Sequence, residues 1–82
     1  MKTNVVFRVY KNGNVIALFP DIDEGRGLCS SYMKVGQHSS ASYMWIIRQT
    51  KPATEKQYGG LYKELTHIGY NLNVQSRRTR RY

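Results

Sequence analysis

Two runs of β-branched and aromatic residues, "NVVFRVY" and "VIALFP", flank Asn12-Gly13 near the start of the chain. Asn-Gly tolerates the positive φ values of a type I′ turn, so the spacing predicts a β-hairpin with strands over about 4–10 and 14–19. Pro20 has no amide to donate to a ladder and is expected to end the second strand.

The remainder of the chain is less uniform. "DIDEGRG" reads as a polar loop, and "LCSSYM" as a third short strand. "ASYMWIIRQT" is rich in Tyr, Trp and Ile with no evident helix cap ahead of it, which favours a strand over about 42–50, with Arg48 at its wetter end. A helix is written through "TEKQYGGLYKELTHIGY". Thr54 is an N-cap, Gln57 completes a capping box, and Glu55 suits the positive end of the dipole. Tyr58, Leu61, Tyr62, Leu65 and Ile68 share one face at helical spacing, and Gly69 stops the helix as C′. Gly59-Gly60 is a blemish there, explained by a loose first turn or by close approach of another backbone. "YNLNVQS" alternates as a strand, with Tyr70, Leu72 and Val74 on one face. The fold class expected is α+β: an antiparallel sheet of four or five strands, opened by the hairpin, with one helix packed on one face and the other face wet or covered by a partner. No internal repeat or linker divides it. The domain is expected to span 1–76, followed by a disordered basic tail at 77–82.

At 82 residues such a domain buries only roughly 60 to 65% of its unfolded surface, so a large active-site cleft is not expected. The single cysteine, Cys29, excludes an intrachain disulfide and fits a reducing compartment. Arg8 and Lys11 interrupt the apolar run near the start, arguing against a secretory signal, and no window approaches the roughly 18 apolar residues of a membrane span. A cytoplasmic protein without membrane contact is expected. Of thirteen Lys and Arg residues against five acids, four are the arginines of "RRTRRY", so half of the net charge of +8 lies in the last six residues.

Four chemistries bear on particular residues of this sequence. Cys29, His38 and Ser39 contain the elements of a thiol nucleophile and its base, but no carboxylate stands ready to orient the imidazole, and a small buried thiol commonly just packs. One Cys and two His fall short of a zinc set, while "DIDEG" has no acid at the twelfth position of a calcium loop, which is Tyr32. His67 is explained by the C-terminal end of its helix dipole. No metal, cofactor, catalytic residue or small-molecule substrate is therefore assigned. "GQHSSAS" reads as a polar turn whose Gly36, His38 and Ser39 are candidates for cupping an anion. The stronger signal is basic: Arg77, Arg78, Arg80 and Arg81, with Arg48, match phosphate contacts, and Tyr43 and Trp45 on a bare sheet face would stack bases. No ribonucleoprotein-type aromatic motif, GXXG loop or helix-turn-helix accompanies them.

Cys29, the Ser31-Tyr32 pair, the Val-Gly-Gln-His segment 35–38 and the Glu-Leu-x-x-Ile-Gly-Tyr segment 64–70 recur in this order in a set of small uncharacterised proteins of gut bacteria, often near phage or other mobile elements. The chain resembles that set over most of its length. The resemblance implies a mobile-element setting and carries no activity. The expected role is a small non-enzymatic accessory protein touching nucleic acid. The alternative is a protein-interaction module, self-associating as a homodimer through a sheet face or edge.

Overall fold

The computed structural model describes residues 2–25, 28–33 and 38–75, with the backbone alone for Asp23, His38 and Ser39. The hairpin forms from β1 (Thr3–Tyr10) and β2 (Val15–Gly25) in the register Val9↔Val15. Its turn is one residue longer than a I′ turn. The Gly13 amide donates to the Tyr10 carbonyl (2.9 Å), Tyr10 donates to Asn14 (2.8 Å), and Gly13 takes φ +92°. That is the three-residue loop in which a left-handed glycine follows a β-turn.

Pro20 does not end β2. The strand runs on through "DIDEG", which is not a loop, and its register with β3 (Leu28–Tyr32) breaks between Phe19 and Asp23. Proline is tolerated where a strand bulges, because no ladder bond is asked of it there. β4 (His38–Ser42) pairs antiparallel with β3, again where a turn was expected.

The largest correction concerns residues 43–49. They form a helix, α1 (Tyr43–Gln49), and the cap the sequence seemed to lack is Ser42, whose hydroxyl accepts from the Trp45 amide (3.4 Å). Tyr43, Ile46 and Ile47 turn inward at helical spacing, so the aromatic and β-branched content that suggested a strand is the buried side of a short helix. β5 (Thr50–Pro52) follows at once. α2 (Glu55–His67) has the expected capping box, with Gln57 donating to Thr54 and accepting from its amide, and Gly69 takes φ +117° beyond the Ile68 C-cap. Ile68 is exposed rather than on the packed face. Gly59 and Gly60 lie inside α2 with nothing within 4 Å of where a Cβ would sit, so close approach does not explain them.

β6 (Leu72–Gln75) closes the chain's described part. Six strands among the described residues form one sheet in the order β4-β3-β2-β1-β5, with β6 also on β1. β6 runs parallel to β1 (Thr3↔Leu72 to Val6↔Gln75), so the sheet is mixed rather than purely antiparallel. β5 descends the same edge of β1 from Tyr10 to Arg8, and β6 climbs it from Thr3 to Val6. The two strands meet head-on beside Phe7, whose carbonyl accepts from the Ala53 amide (3.1 Å).

Each face carries a helix, which corrects the expectation of one helix and one wet face. α2 covers Val5, Phe7, Ala17, Phe19 and Tyr32 with Leu61 and Leu65. α1 covers Val6, Ile16, Leu18 and Cys29 with Tyr43 and Ile46. Alternation along β1 and β2 sends consecutive apolar residues to opposite layers, which is why both hairpin strands are apolar almost without interruption.

Candidate nucleic-acid interface

The residues singled out from sequence separate in space. Cys29 is buried in the α1-side cluster, opposite Ala41, while His38 stands opposite Tyr32, three residues or about 10 Å further along the ladder. The register thus does not bring thiol and imidazole positions together. His38 and Ser39 are strand residues of β4, and Gly36 lies outside the described residues. A paired antiparallel strand sends its amides alternately to its two edges and does not converge them on one anion, so the turn reading of "GQHSSAS" does not hold for residues 38–42. His67 is exposed in the last turn of α2. Tyr43 is core, 5% exposed, and stacks no base on a bare sheet. Arg77, Arg78, Arg80 and Arg81 lie outside the described residues.

Trp45 and Arg48 come together on the outer side of α1. Trp45 is 60% exposed and Met44 55%. Arg48, exposed, follows Trp45 by three residues and Met44 by four, the spacings that make neighbours on a helix surface. As a cation in the last turn it also suits the helix dipole.

This short helix is fixed at both ends. At its start Ser42 caps it. At its end Arg8, 8% exposed, reaches from β1 and donates from Nη2 to the carbonyls of Ile47 (3.1 Å) and Thr50 (2.6 Å), and from Nε to the Thr50 hydroxyl (3.0 Å). Thr50 in turn donates to the Ile46 carbonyl (2.6 Å). The guanidinium therefore satisfies carbonyls left over by the helix end and sits at the negative pole of its dipole. Burial lowers the Arg8 pKa from its ordinary value, opposed by the neighbouring Tyr43 phenol, and the group stays charged.

β5 and β6 share one edge of β1. Gln75 stands opposite Val6, and Thr50, the C-cap of α1, opposite Tyr10, four residues or about 13 Å along β1.

A cleft of ≈ 450 Å³ lies between the hairpin turn and α2, lined by Asn14, Met33, Gln57, Leu61 and Glu64 among others. Its side-chain polar groups serve the fold: Glu64 accepts from the buried Tyr32 hydroxyl, and Gln57 accepts from the Thr54 amide at 2.8 Å. A smaller hollow of ≈ 180 Å³ marks the seam, between Phe7, Pro52, Tyr58 and Val74.

Sequence reading missed α1, and with it the exposure of Trp45. The available signal was Ser42 three residues ahead of Trp45, with Tyr43, Ile46 and Ile47 at i, i+3 and i+4. No protein-family model, curated protein or solved structure matches this chain.

Proposed function

We propose that this chain is a small basic accessory protein without catalytic activity that contacts nucleic acid through Arg48 and the arginines at 77, 78, 80 and 81. The observation that carries the reading is the exposed pair Trp45 and Arg48, neighbours on the outer side of α1, in a chain of net charge +8. Arginine clusters gain affinity by releasing counterions from phosphates, and four further arginines stand in the last six residues of the sequence. The resemblance to proteins near mobile elements supplies the setting, a bacterial cytoplasm. Among the described residues no helix is long and apolar enough to cross a membrane.

The test is fluorescence anisotropy of labelled oligonucleotides at several salt concentrations, with the whole chain and with a variant carrying Gln at 77, 78, 80 and 81. The whole chain should bind with a steep salt slope, and the variant should lose about three units of it. Equal slopes would remove the arginines from the interface; absence of binding at low salt would overturn the reading.

The second reading, self-association as a homodimer, is favoured by one feature. Among the described residues β4 is the terminal strand of the sheet, and a sheet edge is a template for another strand. Association through a sheet face loses support, since a helix packs on each. A particle mass that doubles with concentration would support the edge reading.

A further inference from the structure

We infer that the nucleic acid is single-stranded, with an unpaired base stacked on Trp45. This rests on the nucleic-acid reading above and names its ligand class. Trp45 is the one aromatic side chain among the described residues that is exposed; Phe7, Phe19, Tyr32 and Tyr43 are at most 5% exposed, and the remaining tyrosines are half-buried. Tryptophan is ordinarily among the more deeply covered residues, so an indole 60% exposed is a surface awaiting contact.

Three observations choose the occupant. Arg48 lies one turn along the same side of α1, so a ligand on the indole meets a cation at helix-neighbour distance. The net charge of +8 selects a polyanion over a neutral apolar partner. The platform is also rigid, since the Ser42 cap and the Arg8 clamp hold both ends of α1 while Tyr43 and Ile46 anchor its inner side.

The choice of single strand follows from what an indole recognises. Within a duplex the π-faces of the bases are already stacked on each other, whereas unpaired bases present theirs to aromatic side chains. Arg48 adds a phosphate or guanidinium-stacking contact. Stacking of this kind is tolerant of sequence, because every base has a π-face.

Trp45 is the only tryptophan of the chain, so tryptophan emission, excited where the seven tyrosines do not absorb, reports this position alone. The whole chain would be titrated with a thymidine homopolymer of about 12 nucleotides and with a duplex of equal length, reading tryptophan emission and the anisotropy of a label on the nucleic acid together. The single strand should quench the emission and bind more tightly than the duplex. Trp45→Ala should weaken single-strand binding by about 5- to 100-fold while leaving the salt slope nearly unchanged, and Trp45→Phe should retain most of the affinity. Circular dichroism of both variants should match the parent, since the side chain is exposed. Binding seen by anisotropy without quenching, or a Trp45→Ala variant as tight as the parent, overturns the stacking inference and leaves the arginine reading standing. Preference for the duplex also overturns it. Absence of anisotropy change for either nucleic acid at low salt overturns both.

Discussion

On the α2 side of the sheet, Phe7 stacks on Tyr58 at 4.4 Å and Phe19 on Tyr70 at 5.1 Å, over a layer of wholly buried Val5, Ala17 and Leu65. On the α1 side the sheet buries Arg8, Ser31 and Cys29 among its apolar residues, and polar bonds tie the layers together. The same side carries a strand-crossing relay, Asn73 to Asn4 (2.8 Å) and Asn4 to Asp21 (2.7 Å), linking β6, β1 and β2. The difference follows helix length. α2 has thirteen residues, a capping box and an apolar stripe, so its own sequence favours the helix and packing completes it. α1 has seven, about two turns, and a helix so short is not stable by itself in water. It exists because the sheet supplies both an apolar floor and a hydrogen-bonding group for its C-terminal carbonyls. Both layers bury apolar area, and the α1 layer adds the Arg8 bonds that hold the end of its short helix.

The contrast can be broken by substitution. Leu65→Ala removes a side chain that is 0% exposed at the centre of the α2 layer. It should lower stability by about 2–5 kcal/mol in chemical denaturation, through lost burial and the cavity left behind. Both helices should unfold together in that variant, because α1 depends on the sheet that the α2 layer completes. A smaller loss is expected from Arg8→Met, about 1–3 kcal/mol, since a similar volume remains but carbonyls of Ile47 and Thr50 lose their donor. Hydrogen exchange should show the amides of α1 losing protection well ahead of those of α2; uniform loss over both helices would mean that apolar contact, not the clamp, holds α1. The smallest effect sharpens the account of α2. Gly60 is exposed, and nothing lies within 4 Å of an added Cβ. Gly60→Ala should therefore stabilise by about 0.5–1 kcal/mol, a rise of a few degrees in Tm. A drop in Tm would point to a contact at this surface that the helix reserves space for.

The legible parts of the fold are those whose signals are local. The hairpin, β3, α2 with its cap and stop, and β6 each carry turn chemistry, capping residues or alternation within a few positions of themselves. The exceptions were residues that read one way locally and were used another way in space. Pro20 lies inside a strand because the ladder breaks there and asks nothing of its missing amide. Residues 38–42 are polar enough for a turn, yet they form the edge strand of the described sheet, where a polar row is tolerated. Tyr43 to Gln49 have strand-like composition, but two apolar spacings of three and four turn them into a helix. Of the candidate interface, the arginines were legible as charge and Arg48 as one of them. The partnership of Arg48 with Trp45 was not, because it depends on which periodicity the segment adopts.

The sequence by itself determined that an apolar hairpin would open the domain, that Thr54 to Gly69 would be one helix, and that half of the net charge would lie in the last six residues. These depend on turn geometry, capping and composition, which act over a few residues. Only the tertiary structure decided that β6 would pair parallel with β1, that a second helix would close the opposite face, and that β5 and β6 would meet beside Phe7. Those outcomes rest on pairings between residues tens of positions apart, such as Arg8 with Thr50 and Thr3 with Leu72. Their energy comes from burying groups against each other across the sheet, and no short stretch of the chain contains both partners.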